Sequence, residues 1–191
     1  QQGGPLADLH VTGTRRDARD ETYPVLAGKS ATARNHYNEA TVSLAERGRV
    51  GAAGGDGDSG AGRRVDIVLR AYDDGVAFRY RFPEQPNLND FAITSEDSTF
   101  AVPADATAWV LPLPHPGGHY EYLYQAQKAA ELKPGQLVGM PLLLELPDEG
   151  PAIAITEANL TDYAGMCLTP APPADPGGAS GAAAGYKVLR S

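Results

Sequence analysis

The chain has 191 residues, the size of one domain on a scale of roughly 100–200 residues each. A net charge of −8 and a pI near 4.9 leave no basic patch to release counterions from a phosphate backbone or to bind an anionic lipid surface, so no nucleic acid partner is expected. No stretch approaches the roughly 18 apolar residues that a membrane span needs.

Gly (22) and Pro (16) make about a fifth of the chain, well above the usual ~12%. Many turns and short segments follow. The single Cys167 has no partner for an internal disulfide. Gln1 to Pro5 hold neither an initiator Met nor a charged-then-apolar signal segment. Val188 to Ser191 reads as the opening of a strand, so both ends read as cut.

In chain order, the apolar period is two. Ala40, Val42 and Leu44 alternate with Thr41 and Ser43. Val65, Ile67 and Leu69 alternate with Asp66 and Arg70, and Val76, Phe78, Tyr80 and Phe82 alternate with Ala77, Arg79 and Arg81. Successive strand side chains point to opposite faces, so each run has an apolar and a polar face. Asp73-Asp74-Gly75 lies between the last two runs, and an Asp-Gly pair tolerates the positive φ of a tight turn. Residues 65–82 therefore predict a hairpin.

Further strands are predicted at Phe91–Thr94, Ser98–Val102, Thr107–Leu111, Gln136–Leu146 and Ala152–Thr156. Prolines punctuate them, and Pro141 marks a strand start or bulge, because proline removes a ladder donor. The one helix predicted is Leu123–Leu132. Residues 48–62 read as a Gly-rich loop and Pro170–Gly185 as a linker or long loop. Many short strands between turn signals point to an all-β sandwich or barrel.

Few residues carry a chemical motif. No P-loop, dinucleotide fingerprint, zinc motif or nucleophile elbow is present. His115 and His119 flank Pro116-Gly117-Gly118, which breaks any shared helical face, and they read as loop histidines. Cys167 reads as a buried structural thiol. Asp56 and Asp58 look superficially like a calcium loop but lack its closing glutamate. Asn159-Leu160-Thr161 matches a glycosylation sequon and is treated as incidental.

Glu157 follows the apolar run PAIAIT. A carboxylate at a strand mouth can face a pocket or be a solvated strand end, and the residues alone favour the solvated end. Trp109, Tyr120, Tyr122 and Tyr124 could stack on sugar rings or pack a sheet face with hydroxyls at the rim. Tyr120, Tyr122 and Tyr124 fall at strand spacing.

A series of blocks in order carries a resemblance: HYNEATVSL at 36–44, RAYDDGVAFRYRFPEQ at 70–85, ITSEDSTFAVPADATAWVLP at 93–112, YEYLY at 120–124 and MPLLLELPDEGPAIAITEANLTDYAGMCL at 140–168. The series resembles the N-terminal domain of glycoside hydrolase family 97. The resemblance implies a β-sandwich of the galactose-mutarotase-like kind, incomplete at both ends here. Residues 1–169 would form part of that N-terminal sandwich, and 170–191 a loop or linker leading into a further strand.

The same resemblance implies an exo-acting α-glycosidase whose downstream (β/α)₈ barrel carries the catalytic acid and the base or nucleophile. No catalytic residue is therefore expected in this chain, which alone would be inactive. It implies a calcium ion shared with the barrel, with Glu157 as the metal ligand contributed by this domain. It further implies an α-linked oligosaccharide substrate, with Trp109 and Tyr120 as candidate binding residues, and a periplasmic or secreted bacterial setting. The alternative is a stand-alone carbohydrate-binding or scaffolding sandwich without catalysis.

Overall fold

The computed structural model describes residues 4–47, 62–161, 163–171 and 183–190. They divide into two compact units, Gln1–Phe91 and Ala92–Ser191. The Asp56 and Asp58 pair lies outside the described residues.

The first unit is a four-stranded antiparallel sheet of β1 (Leu9–Pro24), β2 (Thr32–Glu46), β3 (Arg64–Ala71) and β4 (Val76–Arg81), in that spatial order. The predicted hairpin is β3 and β4, with Leu69 opposite Phe78 and Ala71 opposite Val76. Its connection is closed by the Tyr72 N–H donating to Gly75 O at 2.8 Å. None of Asp73, Asp74 and Gly75 takes a positive φ. The turn is therefore not the tight left-handed kind that the Asp-Gly pair suggested, because four residues span the gap without it.

The alternation produces two faces, but burial does not follow polarity. Leu69, Phe78 and Tyr80 are 43, 44 and 40% exposed, whereas Thr41, Asp66 and Val68 on the opposite face are buried. That second face is closed by ion pairs between strands. Arg81 donates through Nε and Nη2 to Asp66 Oδ2 at 3.0 and 2.7 Å, and Arg70 Nε donates to Glu39 Oε2 at 2.8 Å. The Arg70 guanidinium also lies 4.2 Å from the centre of the Tyr37 ring. The arginine stems cover apolar surface while their heads meet carboxylates.

Burial pushes the Asp66 carboxyl up, yet hydrogen bonds from Arg81 and Ser43 outweigh it and hold the group below its usual range. Gln85, also buried, continues the ladder beyond β4: it accepts from Arg64 N–H at 2.7 Å and donates to Arg64 O at 2.9 Å.

β1 has no apolar alternation, so nothing in its residues predicts a strand. It pairs with β2 from Leu9 opposite Glu46 to Pro24 opposite Thr32. Arg34 makes a two-pronged bond to Asp20 across this pair, at 2.8 and 2.7 Å. A further clasp joins β2 to the start of β3. Arg63 donates to both Glu46 carboxylate oxygens at 2.7 and 2.6 Å and to the carbonyls of Gly4 and Pro5 at 2.8 and 2.9 Å.

The second unit is a seven-stranded antiparallel sheet. Its strands are β5 (Thr99–Pro103), β6 (Thr107–Leu113), β7 (Gln125–Lys128), β8 (Leu137–Glu145), β9 (Ala152–Ile155), β10 (Met166–Ala171) and β11 (Ala183–Arg190). The spatial order is β5-β11-β10-β8-β6-β7, with β9 pairing β8. One face holds the main core, including Val110, Val138, Leu142, Leu144, Leu168 and Tyr186. Leu111, Leu113 and Cys167 form a smaller cluster.

Three expectations are corrected here. Leu123–Leu132 is not a helix: Gln125–Lys128 is β7, paired with β6, and Ala129–Glu131 is one 3₁₀ turn. The open edge of β6 captures these residues, and the Ala129 and Ala130 N–H groups donate to the carbonyls of Ala106 and Ala104. Phe91–Thr94 is not a strand; the Phe91 ring instead packs on Phe82 with centroids 5.1 Å apart. Tyr120, Tyr122 and Tyr124 are not on a strand either. Pro141 does sit where β8 bulges, since the register with β6 shifts between Trp109 opposite Leu143 and Leu111 opposite Gly139.

Two open sheets with no α-helix among the described residues are consistent with the all-β, incomplete galactose-mutarotase-like sandwich that the sequence implied.

Candidate functional site

Glu157 lies two residues beyond the end of β9, and the chain returns to the sheet at Met166, the first residue of β10. Between them Asn159 takes a left-handed φ of 52°, a conformation that asparagine tolerates better than most residues. The half-buried Glu157 carboxylate accepts the Met166 N–H at 2.8 Å through Oε2. An N–H bonded to a carboxylate is a charge-assisted hydrogen bond, stronger than a neutral one. The carboxylate therefore closes the neck of its own loop.

Tyr120 lies over the sheet beside this neck, and the space it uses exists because residue 139 is glycine. A Cβ at Gly139 would stand 3.1 Å from Tyr120 Cε1, 3.1 Å from Leu111 Cδ2 and 3.3 Å from Leu113 Cδ1. The Tyr120 phenol is pushed up by partial burial first, then by the neighbouring Cys167 and Glu157 side chains. Tyr120 and Glu157 thus share one electrostatic neighbourhood.

Tyr124 OH reaches Pro141 O at 3.5 Å. His119 stacks on Tyr122 with centroids 4.5 Å apart and planes 17° apart. Trp109, 37% exposed, points by strand alternation to the same face as Leu111 and Leu113, opposite Leu143 of β8 and Ala126 of β7. Cys167 is buried, as expected of a structural thiol. His115 and His119 sit in the loop after β6, where the Gly118 N–H donates to His115 O.

Sequence reasoning did not anticipate the contact between Tyr163 and Glu96. Tyr163 OH donates to Glu96 Oε2 at 3.2 Å, and Ser98 Oγ donates to Glu96 Oε1 at 2.7 Å. No local pattern joins residues so far apart in the chain.

Among the described residues no three His, Cys, Asp or Glu side chains gather into a metal cage. A hard cation such as Ca²⁺ takes 6–8 oxygen ligands. Glu157 suits such an ion chemically, as a hard oxygen donor held at a fixed place, and it would be a partial shell only.

These features define an all-β domain of open sheets that presents a loop-held carboxylate near aromatic side chains. The glycosyl-hydrolase 97 N-terminal profile matches residues 2–188, and the chain belongs to that family. A "Probable retaining alpha-galactosidase" of Streptomyces bingchenggensis (strain BCW-1) is 32% identical over 102 residues, covering 53% of this chain and 13% of that protein.

A Glycoside Hydrolase Family 97 enzyme from Pseudoalteromonas sp. strain K8, solved in complex with acarbose, matches with a TM-score of 0.70 at 28% identity. The match covers 95% of this chain and 28% of that one. A variant of that enzyme in complex with panose gives 0.71 with the same identity and coverage. A beta-arabinopyranosidase crystal structure, at 19% identity and a TM-score of 0.66, speaks for the fold alone. The chain thus spans a minor part of these relatives, and it matches the N-terminal, non-catalytic portion of family 97 enzymes. The described residues contain no (β/α)₈ barrel.

Proposed function

We propose that this chain is the N-terminal sandwich portion of a calcium-dependent, exo-acting α-glycosidase. In this reading it supplies one calcium ligand, Glu157, and packs against a downstream catalytic (β/α)₈ barrel. The substrate is an α-linked oligosaccharide, and the enzyme is a secreted or periplasmic bacterial protein.

The observation that carries the reading is the placement of Glu157 within the family match. Its carboxylate is half-buried, anchored by the Met166 N–H at 2.8 Å and set at the mouth of β9. A bound calcium ion supplies concentrated positive charge coordinated by oxygen. Glu157 would hold one position in its shell, with barrel residues and water holding the others. Glycoside hydrolysis needs a pair of carboxyl groups flanking the scissile bond, and in this reading both belong to the barrel.

The test is Glu157→Gln in the full-length protein. Calcium affinity and α-glycosidase activity should fall together. An unchanged calcium dependence in that variant would overturn the assignment.

A second reading, a carbohydrate-binding sandwich without catalysis, is favoured by the exposed aromatics Trp109, Tyr120, Tyr122 and Tyr124. It predicts oligosaccharide binding that Trp109→Ala abolishes. Absence of any binding heat with maltooligosaccharides or α-galactosides counts against it.

A further inference from the structure

We propose that Tyr120 is a positioning residue for the ion at Glu157: its hydroxyl holds, by a hydrogen bond, a water molecule in that ion's shell. The inference rests on reading Glu157 as a calcium ligand.

The ring is placed by the sheet beneath it. It lies over Gly139 of β8, where a Cβ would stand 3.1 Å from Tyr120 Cε1. Leu111 pairs with Gly139 across β6 and β8. Leu111 and Leu113 border the same hollow, at 3.1 and 3.3 Å from that Cβ position, and they form one buried cluster with Cys167. Cys167 follows Met166, whose N–H donates to Glu157 Oε2 at 2.8 Å. The hollow that seats Tyr120 therefore adjoins the strand end that Glu157 holds.

The hydroxyl is left for an outside ligand. Tyr72, Tyr124, Tyr163 and Tyr186 each donate theirs to a protein oxygen, on Asn35, Pro141, Glu96 and Ala129 respectively. Tyr120 OH makes no hydrogen bond among the described residues. Partial burial, then Cys167, Glu157 and Tyr124, push its phenol up, so it is a neutral hydroxyl at physiological pH.

A hard cation with 6–8 oxygen ligands keeps water in the positions that carboxylates leave. A water on a cation points its protons outward, and the groups that accept them fix its place. A neutral tyrosine oxygen can accept one such proton while its own O–H donates elsewhere. Tyr120 offers such an oxygen beside the Glu157 neck. Without the hydroxyl, the water loses this acceptor and the ion is bound more weakly.

The experiment uses the full-length protein, with calcium Kd read by titration calorimetry and Tb³⁺ as a luminescent substitute for calcium. Tb³⁺ is a hard, oxygen-seeking cation whose emission rises when a nearby tyrosine is excited. Tyr120→Phe keeps a ring over Gly139 and removes only the hydroxyl. It should weaken calcium binding about three- to tenfold, the effect of one hydrogen bond. At saturating Tb³⁺ its tyrosine-excited emission should fall below the parent's. Tyr122→Phe, whose ring stacks on His119, should keep the parent's calcium affinity.

Parent-like calcium affinity in Tyr120→Phe overturns the inference, and so does an equal loss in Tyr122→Phe or an emission that does not fall. Calcium affinity unchanged in Glu157→Gln overturns the metal reading itself, and the inference with it. Weakening in Glu157→Gln without weakening in Tyr120→Phe leaves that reading standing and removes Tyr120 alone. The two failures are therefore told apart.

Discussion

Tyr186 gives a sharp prediction, because it is fully buried and its hydroxyl donates to Ala129 O at 3.1 Å. Burial pushes its phenol up from 10.0 to about 12. In the unfolded chain the phenol ionises near its ordinary value, while the folded chain keeps it neutral two pH units longer. Stability from this residue is therefore fully present below pH ~10 and is lost as pH rises toward ~12. At ~1.4 kcal/mol per unit, the loss reaches about 3 kcal/mol as an upper figure.

Tyr186→Phe removes the hydrogen bond and should cost about 1–2 kcal/mol at pH 8. The variant has no proton to lose, so it should overtake the parent near the top of that window. Urea unfolding midpoints at half-unit steps from pH 8 to 12 measure both curves. Parallel curves for the two proteins would refute the argument, since they would mean that Tyr186 titrates alike folded and unfolded.

Three further outcomes follow from the packing. Gly139→Ala should displace Tyr120 or the leucines that press on residue 139, at a cost of about 1–3 kcal/mol, read as a lower urea midpoint and altered tyrosine fluorescence. Leu142→Ala empties a fully buried site in the main core of the second unit and should cost about 2–5 kcal/mol, measured the same way. Arg63→Ala should cost about 1–3 kcal/mol, and it should also flatten the acid limb. Glu46 is held below its usual range, mainly by the hydrogen bonds from Arg63. That contribution is present above pH ~4.5 and is lost as pH falls through the lowered value. An unchanged acid midpoint in Arg63→Ala would remove Glu46 from the account.

The strands that sequence made legible are those whose alternation is apolar against polar, such as Val65–Leu69 and Val76–Phe82. β1 was not legible because Arg15, Arg16, Asp17, Arg19, Asp20 and Glu21 give it no apolar stripe; cross-strand pairs such as Arg34 with Asp20 tie it to β2 instead. β7 was misread because a short run of Leu, Ala and Gln fits a helix, and only the free edge of β6 decides otherwise. β11 was read as a strand only from Val188, and its start at Ala183–Gly185 was assigned to the Pro170–Gly185 loop, because Ala and Gly have weak intrinsic preference and pairing on both sides sets the outcome. Glu157 stands out as a glutamate after PAIAIT, but the residues alone favour a solvated strand end, and only the family resemblance points to a metal ligand there. The bond it accepts from the Met166 N–H was not legible, because it depends on how the chain folds back between β9 and β10.

The strand order also sets a timetable. β5 pairs with β11 in the second sheet, yet β11 begins roughly eighty residues after β5 ends. A ribosome adding about 5–20 residues per second takes about 4–16 s to cover that distance. Throughout that interval Thr99–Pro103 has emerged without the neighbour that completes its ladder. Pairings of such long reach form late and leave strands available to wrong partners while they wait. The yield of this domain in a cell is thus governed by how well β5 is shielded until β11 arrives, and slowing translation between the two should lower it.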